Sequence, residues 1–568
     1  MSIIRLNVEN CQNCFKCIRE CPLKAIEFKD NRTKIIEDEC VLCGHCMETC
    51  PKGAKYFRRN TDRVKALLRS GAKVCVSVAP SYAGWYGTRD FSRLSAALKR
   101  LGFYRAEETA IGAAQVSKEY SYLMKTRQMD NVIATACSSV VMLVEKHFPD
   151  LLNLLAPVAS PMMAHAKLMR QAYGNDSKVV FVGPCLSKMH EAEDPLAGGQ
   201  VDEVLTFEDI DDWFLKEGIE LGQMDPDPDA EGVAEPIARV YPKQEGIIAT
   251  IGDQFYGYAP VSVDGMDRCI EMFNALRNGE VDHVFVEANI CPGSCVGGPI
   301  MRLHRKSVVR SEVTLSGEET PLDNSPAKSA VIKMTHPRVF ANRSVESKIP
   351  TEEEIRAILL QIGKSTPEQE LNCGSCGYTT CREKAIAVYN GKADVTMCLP
   401  FLRERAENMS SMVIENSPNG IVTFDEDMNV SEINPKAEKL FGVTRAEIVG
   451  QMIPALYGET AFDEAKEKGC PIMKKCTGSN DAIKIELTVI YIEKNHIFVA
   501  FAKDISEEEA NREELAALRM STVDTAQNVI EKQMRVAQEI ASLLGETTAE
   551  TKVALTKLKK SITDISEG

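Results

Sequence analysis

Residues 11 to 22 read Cys-x2-Cys-x2-Cys-x3-Cys-Pro, and residues 40 to 51 repeat the same spacing. Eight thiols so close together suit metal ligation in a reducing compartment far better than they suit disulfides, and most of the chain's 20 cysteines fall in similar short runs. Iron–sulfur ligation is therefore the default reading of the N-terminal segment. Only eight histidines are present, and none is spaced with another ligand as zinc enzymes require.

At 568 residues the chain is too long for one core, and several domains are expected. It carries 82 acidic against 67 basic residues, a net charge of −15, with no basic run interleaved with aromatics. Nucleic acid and anionic membranes are poor partners for such a surface. The first residues, MSIIRLNVENCQNC, hold no apolar stretch ahead of a cleavage site. The longest apolar run, around Val132 to Val144, is interrupted and too short to span a bilayer. A cytoplasmic protein without a membrane span is expected.

The doubled run is the spacing of bacterial two-cluster ferredoxins, in which the fourth cysteine of each run ligates the other cluster. That resemblance implies one [4Fe–4S] cluster on Cys11, Cys14, Cys17 and Cys50 and a second on Cys40, Cys43, Cys46 and Cys21.

From about Thr61 the pattern becomes one of helices alternating with short apolar strands: VKALLRS, KVCVSVAP, FSRLSAALKRLG, NVIATA, KVVFVG and HVFVEA. Apolar runs bounded by turns and separated by helical stretches predict a buried, largely parallel sheet. The last three strands each run into a cysteine motif, ATACSSV, VGPCLSK and EANICPGSCVGG, which hold Cys137, Cys185, Cys291 and Cys295. Ligands at the carboxyl ends of strands are where open α/β sheets place their sites. Four such thiols could hold a cubane and nothing more.

A further signature, C-x2-C-x4-C-x16-C, places Cys373, Cys376, Cys381 and Cys398 in a small segment that resembles the four-iron domain of corrinoid iron–sulfur proteins, with zinc as the competing ligand. Between Ser410 and Ser506 the string IENSPNGIVTFDEDMNVSEINPKAEKLFG, with Asn434, Pro435, Ala437, Phe441 and Gly442, resembles a PAS domain. It shows neither a flavin-adduct cysteine motif nor a haem histidine, and His496 is read as part of a strand. From about Glu507 the chain is helical by composition. Val523, Ala526, Ile530, Ala537, Ile540 and Leu544 recur at three- and four-residue steps, which suits either a short coiled coil or a helix packed on its own PAS domain, with a break at Gly545. No histidine follows His496, so no histidine-kinase output is built in.

The three central motifs, in their order, resemble those of [FeFe]-hydrogenases. The resemblance implies an H-cluster: a [4Fe–4S] cubane on Cys137, Cys185, Cys291 and Cys295, bridged through Cys295 to a two-iron subcluster with CO, CN and a dithiolate bridge. It places Lys188 and the Ala79, Pro80, Ser81 segment at the cyanides, and Gly297 and Gly298 where backbone approaches the cluster. A buried Lys188 with no carboxylate near it would call for such an anionic ligand. Three positions depart from the catalytic members: Ala136 stands where a proton-relaying cysteine is usual, and Gly183 and Asn289 where methionines are usual. Tyr120 and Leu123 align with carboxylates of the proton path. A positioned acid–base group contributes about 10² to 10⁴ in rate, so slow turnover is implied.

The fold class expected is multidomain α/β and α+β: a two-cluster ferredoxin domain at 1–57, an α/β hydrogenase domain at 58–345, a small four-cysteine iron–sulfur domain at 346–404, a PAS domain at 405–506 and a helical segment at 507–568. The resemblance implies a sensory branch of the family that cleaves H2 slowly to protons and electrons. It carries three further [4Fe–4S] clusters, exchanges electrons with a ferredoxin-like or other redox partner and depends on hydrogenase maturation proteins. It would also signal to a downstream protein and be able to form a homodimer through PAS and the terminal helix. An efficient ferredoxin-linked metabolic hydrogenase, and an electron carrier or assembly factor without the two-iron unit, are the rival readings. Of the remaining thiols, Cys75 and Cys269 read as buried and structural, and Cys470 with Cys476 as a candidate redox pair.

Overall fold

The computed structural model describes residues 2–228, 230, 234, 236–316, 338–346, 348–456, 460–479, 483–544, 553 and 556–557. The break expected at Gly545 lies outside them. The chain divides into two compact units, residues 1–401 and 402–568.

The first unit opens with two copies of one small device. Strand Ile4–Leu6 pairs antiparallel with Lys55–Phe57, and Ile26–Lys29 pairs with Arg32–Ile35. Short helices Lys16–Arg19 and His45–Glu48 carry the third cysteine of each run. The residue before each helix is left-handed: Phe15 at φ 55° and Gly44 at φ 74°. The two differ because their surroundings do. Phe15 lies edge-on to Phe28, with ring centroids 4.9 Å apart, whereas a Cβ on Gly44 would stand 2.5 Å from the Pro299 side chain. The second run is pressed against the α/β region there.

That region holds two parallel sheets where the sequence suggested one. In the first, Val74–Val78 is flanked by Arg105–Glu108 and Lys178–Gly183, with Glu203–Thr206 beyond. In the second, Val284–Asn289 lies between Ala259–Asp264 and Val132–Ile133. All residues of Val74–Val78 and Val284–Asn289 are buried, and they are apolar except Ser77, Glu287 and Asn289. Val132–Ile133 is only two residues long, and the chain leaves it directly for Cys137.

Residues 348–401 fold around two helices, Glu352–Gln361 and Cys381–Tyr389, the first opened by a capping box at Thr351 and Glu354. This segment docks on the N-terminal one. Phe28 N donates to Lys392 O at 2.8 Å, Lys24 Nζ to Gly377 O at 3.0 Å, and Lys392 pairs with Glu39 at 2.6 Å. Ile18, Ile26, Phe28, Tyr378 and Met397 share a small apolar core between them.

The second unit is a five-stranded antiparallel sheet in the order Val430–Ile433, Gly420–Phe424, Ile497–Asp504, Lys484–Ile492, Ile472–Thr477. Phe462 of helix Ala461–Lys468 stacks edge-on between Phe424 and Phe498, at 5.1 and 5.6 Å. Asn434 caps helix Pro435–Phe441 and ties Ile414 O, Asn419 O and Ile421 N together. His496 is not in a strand. It sits left-handed at φ 53° in the turn between Lys484–Ile492 and Ile497–Asp504, where Tyr491 and Glu426 are its neighbours.

Helix Ser506–Leu544 begins on the sheet through Lys475–Glu509 and Lys503–Glu508. From Asn511 to Ser521 every residue is exposed, so the helix does not pack along the sheet. Cys476 lies within strand Ile472–Thr477, whose stretch from Ile472 to Cys476 spans about 13 Å at about 3.3 Å per residue, and Cys470 stands two residues ahead of the strand. The structure joins neither to the other by a disulfide. Cys75 and Cys269 are buried. Among the described residues no helix is long and apolar enough to cross a membrane.

Candidate active site

Four strand ends converge on one cavity of about 90 Å3. Val74–Val78 leads into Ala79, Pro80 and Ser81, Val132–Ile133 into Ala136 and Cys137, Lys178–Gly183 into Cys185, and Val284–Asn289 into Cys291 and then Cys295. Ala79, Pro80, Ser81, Ala136, Cys137, Cys185, Lys188, Asn289 and Cys295 line the cavity. Cys291 is coupled electrostatically to Cys185, Cys137 and Cys295.

Burial pushes the thiols of Cys137, Cys291 and Cys295 upward, and the neighbouring thiols add to the rise. Lys188 lowers Cys137 and Cys295 but does not offset burial. Such thiols ionise together at neutral pH only around a cationic centre. No three His, Cys, Asp or Glu side chains among the described residues converge on a single metal ion. The central thiols surround a space instead, as ligands to the separate corners of a cluster must. The Ser81 hydroxyl is buried at the cavity wall with no hydrogen-bond partner among the described residues, a donor that a bound polar group would satisfy. The donor set thus fits an iron–sulfur group with polar ligands.

Lys188 corrects the sequence reading, because it has a carboxylate. Its Nζ donates to Glu191 Oε2 at 2.6 Å and to Ala136 O at 3.0 Å. Glu191 also accepts from Ser138 Oγ at 2.5 Å and meets Arg338 at 2.9 Å. Burial alone would raise this carboxyl, but Lys188 and Arg338 outweigh it and hold Glu191 at about 2. Lys188 therefore reaches the cavity as one arm of a buried, compensated cluster. The spacing Lys188-x-x-Glu191 on helix Ser187–Glu193 was visible in the sequence; Arg338, far along the chain, was not.

Gly183 does not itself line the cavity. A Cβ there would stand 2.7 Å from the Phe181 ring and 3.1 Å from Ala79 Cβ. Phe181, two residues earlier on the same strand face, lines the cavity instead. Gly297 likewise has a backbone reason: a Cβ would fall 1.9 Å from Pro292 O. Tyr120 is fully buried and its hydroxyl accepts from Thr135 N at 2.9 Å, while Leu123 is in the core. Nearby carboxyls went unread in the sequence. Glu287, fully buried, accepts from Ile248 N at 2.9 Å through one oxygen and has no partner for the other among the described residues. Burial pushes Glu287 and Glu119 up to about 7.

The cysteine runs form groups of their own. Cys17 is coupled to Cys11, Cys14 and Cys50, and Cys46 to Cys43, Cys40 and Cys21. The second group adjoins the cavity: Cys43 and Cys137 pack against one apolar core, and helix Ser138–His147, which starts at Cys137, ends with Lys146 Nζ donating to Cys40 O at 2.7 Å. Cys373, Cys376, Cys381 and Cys398 line one cavity of about 20 Å3. Lys384 lines it too, fully buried, its Nζ donating to Val395 O at 2.9 Å.

Thiols at the carboxyl ends of parallel strands, with cysteine runs packed beside them, define an iron–sulfur oxidoreductase domain of the hydrogenase type. Residues 72–260 and 253–299 match the family model for the iron only hydrogenase large subunit, C-terminal domain. Residues 10–54 match a 4Fe-4S dicluster domain, 369–400 an Fe–S cluster domain and 409–496 the PAS fold, so the chain carries all four. Among solved structures it is similar to a variant of an [FeFe]-hydrogenase from Chlamydomonas reinhardtii, at 16% identity over 51% of this chain and 100% of that one, with a TM-score of 0.37. It is also similar to the PAS domain of nitrogen regulation protein NR(II) from Vibrio parahaemolyticus, at 19% identity over 17% of this chain and 98% of that one, with a TM-score of 0.16. No curated protein matches.

Proposed function

We propose that the chain is a slow [FeFe]-hydrogenase of the sensory type, cytoplasmic, whose central thiols Cys137, Cys185, Cys291 and Cys295 hold an H-cluster. Three further [4Fe–4S] clusters would sit on Cys11, Cys14, Cys17 and Cys50, on Cys40, Cys43, Cys46 and Cys21, and on Cys373, Cys376, Cys381 and Cys398. When bound, the two-iron unit supplies the reversible cleavage of H2 into two protons and two electrons. The protein's part is to hold the thiolates, to present Ser81 Oγ and Lys188 Nζ as donors, and to keep the cavity dry with Phe181, Pro80 and Met162.

The observation that carries the reading is the orphaned Ser81 hydroxyl in a thiol-walled cavity beside a cysteine-free position 136. With Ala136 at the cavity wall there is no thiol to pass a proton, which supports slow turnover and hence a reporting role through PAS to a partner protein. The exposed terminal helix offers a surface for a homodimer. Electrons would leave through the N-terminal clusters to a ferredoxin-like acceptor, and loading would need hydrogenase maturation proteins. One observation favours a rival: Lys188 is already neutralised by Glu191, so an electron carrier with a bare cubane needs no anionic ligand there.

The infrared spectrum after maturation with the two-iron cofactor tests the reading. CO and CN bands are expected, and a Ser81→Ala change should shift a CN band; bands absent from a protein with full iron and sulfide content would refute it. Ala136→Cys should raise turnover by about 10²-fold, and a wild type already that fast would favour the metabolic rival.

A further inference from the structure

A file of hydrogen-bonded side chains runs from the cavity wall outward. Thr109, which lines the cavity, shares a hydrogen bond with Ser77 Oγ at 2.6 Å. Ser77 meets His165 Nδ1 at 2.8 Å, and His165 Nε2 meets Glu107 Oε2 at 3.1 Å. Tyr173 donates its hydroxyl to the other oxygen of Glu107. Ser77 and His165 are fully buried, the Glu107 side chain is 13% exposed, and Tyr173 is half-buried. The file therefore has one end in the cavity and the other at solvent.

The fold builds this alignment. Ser77 and Glu107 are register partners on adjacent parallel strands, so their side chains lie next to each other on one face. His165 and Tyr173, eight residues apart on helix Pro161–Tyr173, reach down to that face together. Gly112 lets the neighbouring helix Ala110–Lys125 close over His165, since a Cβ there would lie 2.7 Å from His165 Cβ.

From this geometry we propose that Thr109, Ser77, His165 and Glu107 form a proton path between the cavity and solvent, taking over the task for which position 136 has no thiol. The proposal rests on the hydrogen-activating reading above. A buried histidine satisfied for packing alone would need two partners; here every inner member can both accept and donate, and the chain is unbroken from end to end. At rest Glu107 is an anion and the ring proton is on Nε2, with Ser77 donating to Nδ1. Outward, a proton from the cavity goes to Thr109 Oγ as the Thr109 proton goes to Ser77 and the Ser77 proton to His165 Nδ1, while Nε2 gives its proton to Glu107, which passes it to water. The inward transfer is the reverse and restores the first tautomer; in each direction one proton enters, one leaves and no electron moves. Glu107 is held below the usual carboxylate range, where burial is outweighed by His165 and Tyr173, so it stands ready as an anion. The other titratable groups around it are Arg105 and Cys75 on the strands and Arg170 on the helix.

Two measurements on the full chain test this. In protein carrying all its clusters, the infrared bands are followed after a pH jump: Thr109→Val should slow their conversion by about 10²-fold without moving their positions, and Thr109→Ser should restore the rate. A wild-type rate in Thr109→Val, or no rescue by serine, overturns the path. In protein without the two-iron unit, deuterium uptake at the His165 ring carbon, read by mass spectrometry, reports protonation of this buried ring. It should be measurable in the wild type and severalfold lower in Glu107→Gln, and equal uptake in the two overturns the path. Missing infrared bands with uptake intact would instead count against the function proposed above and leave the path standing.

Discussion

Replacing Glu191 with glutamine should cost the hydrogenase-type domain about 3 kcal/mol, and two independent routes give that figure. The first is titration: the carboxyl sits at about 2 in the fold against 4.5 in an open chain, and each pH unit between them is worth about 1.4 kcal/mol. The second is the buried pair itself, because removing one partner from such a cluster costs about 3–5 kcal/mol when charges are left facing a neutral group. Here Lys188 at 2.6 Å and Arg338 at 2.9 Å would both be stranded. Because folding lowers this pKa, the contribution is complete above about pH 4.5 and drains away as pH falls toward 2. The assay is urea unfolding followed by tryptophan fluorescence. The chain's two tryptophans, Trp85 and Trp213, are both buried in this domain, so the signal excludes the PAS unit. Glu191→Gln should lower the unfolding free energy by about 3 kcal/mol and flatten the acid limb between pH 4.5 and 2. A loss below about 1 kcal/mol with the acid limb unchanged would show that the cluster is not a coupled, desolvated unit.

Gly183→Met should destabilise the same domain by about 1–3 kcal/mol through collision with Phe181, and Phe181→Ala in the same chain should recover most of that loss in the same urea assay. Gly377 has φ 91°, and a Cβ there would lie 3.0 Å from Ile18, so Gly377→Ala should weaken the docking of residues 369–400 on the N-terminal segment by about 1–2 kcal/mol. Amide hydrogen exchange in 369–400 should rise about 5- to 30-fold, and unchanged protection would refute the contact. Mild oxidation of the monomer should leave both Cys470 and Cys476 open to alkylation; loss of two hydrogens in a peptide joining them would contradict the extended segment between them.

What could be read from the sequence was what is local. The cysteine runs declare themselves by spacing, the strands by apolar runs between turns, and Asn434 by the string that resembles a PAS domain. The division into two sheets could not be read, because it depends on which strands pair, and Val132–Ile133 pairs with a strand about 150 residues later. The role of His165 could not be read either, because Ser77 and Glu107, 88 and 58 residues away, meet it only in the fold. Lys188 differs: its i+3 partner Glu191 is local and legible on the helix, so that pairing, unlike the one with Arg338, requires no knowledge of the fold. Phe181 was also within reach, since residues i and i+2 of a strand share a face and a glycine at one often means a ring over it.

The cavity draws its thiols unequally from the two sheets: Cys137, Cys291 and Cys295 follow strands of one, and Cys185 follows a strand of the other. Any inorganic core bound to all four would rivet halves that otherwise meet through packing and a few hydrogen bonds, such as those of Lys188 and Glu191 to Ala136 and Ser138. Loading would then be legible as mechanics: an empty protein whose halves can part at separate denaturant concentrations, and a filled one that yields as a single body.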